Sequence, residues 1–268
     1  MSTKPSSPPS ERSTETRQRI LDAAAREFAA HGLAGARTEA IASAAGVNKA
    51  LLYYYFNNKE ALYQAALEDI AARVRDTTMS MLLKEASPGE RILRSALSHF
   101  DRILSQQVFQ SLMQQEMIRL HKGESDVMPV IVKRVFEPLM ILYRAMVREG
   151  IASGELIETD WMQIHLSSLG ANVLYFLSAP VWRLVFGDDP MTKEALETRR
   201  KSIVSFLGQT IFRDREYGTA LAARVFADSP MPEIAFEKAP GGGPLTVKLL
   251  TDAPRPKIWD EESKEKKL

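Results

Sequence analysis

The stretch Thr38–Lys59, TEAIASAAGVNKALLYYYFNNK, decides how this chain folds. It reads as two short helices joined at Gly46. Thr38 is a good N-cap for the first, Ile41 and Ala45 share one helical face, and small Ala42 and Ala44 let a second helix approach closely. Gly46 can take the positive φ that a tight turn between helices requires, and Asn48 can cap the helix that follows. That second helix, about Lys49 to Phe56, has Leu52 and Phe56 four apart to anchor it, which leaves Lys49, Ala50, Tyr53, Tyr54 and Tyr55 mostly on its other sides. In a helix-turn-helix, the N-terminal residues of the second helix meet base edges, and phenolic hydroxyls farther along can donate to phosphate oxygens. Taken alone, the segment fits equally well a plain helical hairpin with interfacial tyrosines and solvated lysines.

The flanks weigh against the plain hairpin. Upstream, TRQRILDAAAREFAAHG spaces Ile20, Ala24 and Phe28 four apart with Leu21 beside them and stops at Gly32; downstream, KEALYQAALEDIAARV puts Leu62, Ala66 and Ile70 on one stripe. This order, with the core GV-x-K-x-x-LYxxF-x-x-KE-x-L, resembles the N-terminal domain of the TetR/AcrR family of bacterial transcriptional regulators over about Thr16 to Ile70. The resemblance implies that Thr38 caps the helix behind the recognition helix and touches a phosphate. It also implies that Lys49, Ala50 and Leu51 face base edges, and that Tyr53, Tyr54, Tyr55 and Lys59 grip or pack against the DNA backbone. Many members carry Gly or Pro where Ala50 stands and His where Tyr55 stands. At Glu39 some members have a basic, base-reading side chain, so Glu39 is left out of the expected site: a carboxylate repels phosphate unless it accepts from a cytosine amine.

The whole chain is nearly neutral, with 35 Lys and Arg against 34 Asp and Glu. Residues 1–59 hold eight basic against five acidic residues, so phosphate attraction has to come from local placement and from two copies acting together. The absence of cysteine excludes disulfides, thiolate metal sites and cysteine nucleophiles. MSTKPSSPPSERSTE has no apolar core of a signal peptide, and the expected location is cytoplasmic. Catalysis finds little support, since His31, His99, His121 and His165 make no recognised ligand spacing and no P-loop, GxGxxG or GxSxG occurs. Neither a metal nor a cofactor is expected.

The rest of the chain to about Phe212 also reads as helical, giving an all-α fold. Four regions are expected: a disordered arm at 1–13, the helix-turn-helix domain at 14–71, a helical effector-binding and dimerisation domain at 72–215, and a Pro/Gly-rich, mixed-charge, disordered tail at 216–268. Ser87, Pro88 and Glu90 supply the cap and first turn of a helix carrying Ile92, Leu93, Leu97, Phe100 and Leu104. Pro138 inside the segment Asp126–Gly150 predicts a kink or break. Trp161 to Trp182 lacks any Asp, Glu, Lys or Arg, yet Gln163, His165, Ser167, Ser168, Asn172 and Ser178 interrupt it and Pro180 is expected to end it. Burial against its own domain and a second subunit explains this better than a membrane, with Thr192–Phe212 as its partner in a four-helix interface. LTVKLL near the C-terminus is a short strand with no evident partner.

The expected partners are therefore double-stranded DNA at an inverted-repeat operator, a second copy of the chain, and a small hydrophobic or amphipathic effector, with no membrane. Met113, Gln114, Met117, Tyr143, Met146, Asn172, Tyr175 and Phe176 are the candidate effector residues: adaptable apolar groups with a few hydrogen-bonding ones. For each of these alone, ordinary core packing is the simpler reading. The function expected is a homodimeric repressor released by a small molecule. The alternatives are a ligand-independent regulator or activator of the same fold, a protein-binding helix-turn-helix adaptor, and an enzyme.

Overall fold

The computed structural model describes residues 11–235 and a strand pair at 237–238 and 245–246. The first domain is built around α1 (Glu11–Gly35), α2 (Thr38–Ala44), α3 (Lys49–Phe56) and the start of α4 (Lys59–Leu82). Ile20, Phe28, Ile41, Leu52, Leu62 and Leu67 are all fully buried where these helices meet, and the Phe28 and Tyr63 rings pack edge to face at 5.0 Å. Asparagines start two of the helices. Asn48 Oδ1 accepts from Leu51 N at 2.8 Å, and Asn58 Oδ1 accepts from Ala61 N at 2.7 Å. Gly46, at φ 67°, makes the turn between α2 and α3.

Two expectations for this half need correction. Thr38 does not cap α2; it is the first helical residue, Arg37 occupies the cap position, and the Thr38 hydroxyl lies 3.2 Å from that of Tyr53 instead. Glu11, Arg12 and Ser13, expected in the arm, belong to α1, and Ser13 Oγ lies 3.0 Å from the Tyr55 hydroxyl. The disorder expected of residues 1–10 lies outside the described residues.

The second domain is organised by α5 (Pro88–Ser105), whose Ile92, Leu93, Ala96, Leu97 and Phe100 are buried beneath neighbouring helices. Ser87 Oγ accepts from Glu90 N at 3.3 Å, as the local sequence predicts. Next come α6 (Gln107–His121), α7 (Met128–Ile131), a π-helical turn (Val132–Phe136) and α8 (Glu137–Ala152). Pro138 accounts for the π turn: proline has no N–H to give the carbonyl four residues back and its ring crowds that carbonyl, so the preceding turn widens. The carbonyl in question belongs to Arg134, and it accepts from Arg75 Nη1 at 3.2 Å instead.

A second π turn (Leu166–Gly170) joins α9 (Trp161–His165) to α10 (Ala171–Phe186). Pro180, expected to end this helix, sits inside it; the helix stops at Gly187, in the left-handed region at φ 78°. The helical run from Trp161 to Phe186 is 26 residues long and its most apolar 18-residue window has mean hydropathy 1.3; by length and composition it could span a membrane, and only 17% of that window is buried within the chain. Its inner face packs on α5, where the Asn172 amide donates to Ala96 O at 2.8 Å. Its outer face exposes Leu174, Leu177, Val181 and Val185.

Thr192 caps α11 (Lys193–Thr210), and Asp214 caps α12 (Arg215–Ala227). This last helix corrects the tail expected from Glu216: Leu221, Ala222 and Val225 are buried, and α12 packs along α11. The backbones nearly touch, since a Cβ on Gly208 would stand 2.5 Å from the Gly218 carbonyl oxygen. Farther on, Leu245–Thr246 (β2) of LTVKLL does find a partner, pairing antiparallel with Glu237–Lys238 (β1). The rest of the expected tail from Phe236 onward lies outside the described residues.

Candidate functional site

On α3, Leu52 and Phe56 face the core, which turns Lys49, Ala50 and Leu51 outward at the start of the helix and Tyr54 farther along. Tyr54 is the most exposed of the large apolar side chains, at 81%. Tyr53 and Tyr55 are half-buried and act partly as braces, Tyr53 toward Thr38 and Tyr55 toward Ser13. Lys59 sits beside them and donates to Ala34 O at 3.1 Å, leaving two ammonium donors for another acceptor. Seven of the eight expected residues are exposed or half-buried along this side of the domain, whereas Thr38 is buried; Thr38, Tyr53, Tyr55 and Lys59 also make hydrogen bonds within the domain. Glu39 was missed. Its carboxylate forms a close ion pair with the Lys49 ammonium, across from which lies the Tyr53 ring at 5.9 Å. That pairing, led by the hydrogen bond, holds the Glu39 carboxyl below its usual range and the Lys49 ammonium above its own.

The surface is tied to the second domain through α1 and α4. Ser111 Oγ and Gln115 Nε2, both on α6, donate to the Ala29 carbonyl at 2.9 Å. Tyr63 on α4 donates to the fully buried carboxylate of Glu116 at 2.6 Å, and Arg119 and Ser125 complete the partners of that carboxylate. Burial, followed by the Glu116 contact, pushes the Tyr63 phenol well above its ordinary range.

Residues 20–66 match the family described as bacterial regulatory proteins, tetR family, and residues 88–207 match the tetracyclin repressor-like C-terminal domain. The chain belongs to the TetR family. Among curated relatives, the HTH-type transcriptional repressor NicS of Pseudomonas putida is 27% identical over 61% of this chain and 76% of its own length. YdgC of Bacillus subtilis, an uncharacterized HTH-type transcriptional regulator, is 36% identical over 31% of this chain. An HTH-type transcriptional repressor of Streptomyces coelicolor is 51% identical over 20%. The matches span only 43% and 28% of the lengths of the last two relatives. A transcriptional regulator from Saccharomonospora viridis, solved in complex with choline, has a TM-score of 0.61 at 18% identity over 75% of this chain and all of its own. A gamma-butyrolactone receptor has a TM-score of 0.54 at 21% identity, over 82% of this chain and all of its own. At these identities the likeness is one of fold.

In this TetR-family chain the eight expected effector residues are spread over α6, α8 and α10, each of which packs against α5. Met113, Gln114 and Met117 lie on α6, which packs against α1, α4, α5 and α7; Met113 is buried, Gln114 half-buried, and Met117 exposed. Tyr143 and Met146 on α8 and Asn172 and Phe176 on α10 are buried beside α5, with Tyr175 half-buried next to them. The Tyr175 hydroxyl is already committed to Pro190 O at 2.6 Å.

The second domain also holds a polar cluster that the sequence did not reveal. His99 and Arg102 of α5, Tyr143 of α8, His165 of α9 and Asn172 of α10 each bury a side-chain nitrogen or oxygen with no hydrogen-bond partner among the described residues. The Tyr143 and His165 rings meet edge to face at 5.2 Å. Burial first, then the charges of Arg102 and His165, push His99 down to about 3, and burial lowers His165 as well. Both imidazoles are therefore neutral in the folded chain at pH 7, whereas the unfolded chain takes up protons below about 6.5. Stability is fully present above that pH and is lost as pH falls toward the folded value. His99 alone accounts for about 2 kcal/mol between pH 7 and pH 5, with His165 adding in the same direction. Urea unfolding at the two pH values should show this loss, and His99→Gln should reduce it; an equal loss in the variant would refute the assignment.

Proposed function

We propose that the chain is a cytoplasmic, homodimeric DNA-binding repressor, reading an inverted-repeat operator and released by a small effector bound in its second domain. The observation that carries DNA recognition is the outward-facing first turn of α3, where Lys49, held by Glu39, and Ala50 and Leu51 are exposed on a helix anchored by Leu52 and Phe56. These three are the base-reading residues. Thr38, Tyr53, Tyr54, Tyr55 and Lys59 hold or flank the phosphate backbone. The exposed strip of α10, with Phe206 of α11, is assigned to a second copy, since a two-fold pair presents two recognition helices to successive major grooves. The relatives that are repressors, and the fold neighbours solved with choline or named as a butyrolactone receptor, favour repression and release by a ligand. Among the eight effector candidates, Tyr143, Met146, Asn172 and Phe176, buried beside α5, are the better placed.

Selection of duplexes from a random pool tests the reading: recovered sites should be inverted repeats with half-sites about 10 base pairs or a multiple apart. Lys49→Ala should weaken the selected site by about 1 to 3 kcal/mol more than it weakens random duplex, which loses only through the unpaired Glu39 carboxylate. Lys59→Ala should weaken both alike and lower the salt slope by about one per half-site. Glu39→Gln should act the other way, because it frees the Lys49 ammonium and removes a repelling carboxylate. Affinity for every duplex should rise, and the salt slope should steepen by about one per half-site. Failure to recover any duplex at low salt would remove DNA from the proposal.

A further inference from the structure

Five buried polar atoms without partners among the described residues fall in one region, and each costs free energy until a water or another group completes it. What they have in common indicates the chemistry of the missing partner. Arg102 is the cation of the group, and among the described residues no carboxylate pairs with it; its bond is to the Thr78 hydroxyl, 2.7 Å from Nη1. Its Nε–H is free; the Tyr143 hydroxyl has the Ser168 hydroxyl beside it, which donates to Ile164 O at 2.7 Å and can still accept from the phenol, so the phenolic donor turns to a ligand by leaving Ser168. The two imidazoles are neutral and can present either a donor or an acceptor by tautomer. The region thus offers a positive charge, a phenolic donor and adaptable nitrogens, with no anion of its own. Beside it are aromatic faces, with Phe100 and Phe176 4.8 Å apart. The π turn at Leu166–Gly170 runs along the cluster, and a cavity of about 350 Å³ shares Ser168 with it and carries Arg199, another arginine with an unpartnered buried Nε.

Building on the effector reading above, we propose that this cluster is the head-group site for a small organic acid: the carboxylate pairs with Arg102 and accepts from Tyr143 and His99, and the apolar or aromatic body lies against Phe100 and Phe176. The same arginine reaches α4 through Thr78, so a carboxylate that redirects the guanidinium also loosens its hold on the helix that leads to Lys59.

Benzoate, phenylacetate and octanoate, each compared with its own amide, test the proposal on the full chain by isothermal titration and thermal melting. At least one acid at millimolar concentration should raise Tm and bind about tenfold or more tightly than its amide, since charge-assisted hydrogen bonds to a buried guanidinium are the strong ones. Arg102→Met should abolish that preference and Arg102→Lys should keep part of it, with the helical circular dichroism of both confirming the fold. If Arg102→Met does not fold, Tyr143→Phe provides the same readout by weakening the acid more than the amide. Equal binding of acid and amide, the mark of a site satisfied by water alone, overturns the proposal; so does an acid preference that survives both variants, or the absence of any acid-dependent rise in Tm. Fluorescence anisotropy on the selected duplex is read separately. Acids that bind through Arg102 yet leave duplex affinity unchanged establish the head-group site and defeat the release mechanism.

Discussion

Leu174→Glu is expected to convert the proposed dimer to monomer and to lower affinity for a two-half-site duplex by about two to four orders of magnitude. Leu174, Leu177 and Val181 are 60%, 60% and 54% exposed and fall at helical spacing on one side of α10, and Val185 continues the strip. A contiguous apolar strip of this kind is costly to leave in water, and in the proposed dimer a second copy covers it symmetrically. A carboxylate in its centre has to be desolvated without a partner, which is incompatible with tight association. Each monomer would keep an intact α3 but lose the tethering that makes the second half-site an intramolecular encounter. Sedimentation equilibrium and anisotropy on duplexes with one and two half-sites measure both consequences. A wild-type chain that sediments as a monomer at micromolar concentration would end the assignment of this face.

The second large effect is on stability. Arg200 is 2% exposed, and it chelates Asp101 of α5 through Nε at 2.6 Å and Nη2 at 2.8 Å, while Nη2 also donates to the carbonyls of Ser229 and Pro230. One side chain therefore fastens α11 to α5 and to the chain leaving α12. Arg200→Ala leaves a largely buried carboxylate and two carbonyls without their donor, at a cost of about 3 to 5 kcal/mol. In a domain of this size that lowers Tm by roughly 6 to 20 °C. The double variant Asp101→Leu, Arg200→Met should recover much of the loss, because a well-packed apolar pair replaces a buried ion pair at little cost. A calorimetric Tm for Arg200→Ala within a degree or two of wild type would show that the fastening contributes nothing.

What could be read in advance was local. Asn48, Ser87 and Thr192 act on N–H groups within three residues, so a cap, a turn glycine and a four-residue apolar spacing were enough to place α3, α5 and α11. The errors share the opposite cause. The hydroxyl of Thr38 is oriented by Tyr53, fifteen positions away in sequence. Pro180 fails to stop α10 because Phe176 and Ala179 around it are held against the domain, and packing outweighs one lost backbone bond. In α12 the signal was present, with Asp214 as cap and Leu221 and Val225 four apart, but the prolines and glycines beyond it dominated the composition. The five polar residues of the buried cluster come from four helices, and nothing in the spacing of His99 and His165 shows that the fold brings them close.

The length of α4 has a mechanical consequence. As one uninterrupted helix of 24 residues it measures about 36 Å, so a swing of about 5° about its far end carries its near end through about 3 Å. In the proposed dimer, mirrored across a two-fold axis, that becomes about 6 Å in the separation of the paired reading heads, a sizeable fraction of the roughly 34 Å repeat of the double helix. The heads could stay rigid and correctly folded and still fall out of phase with the grooves. Thr78 lies in the last turn and a half of that rod, where the smallest displacement has the greatest reach.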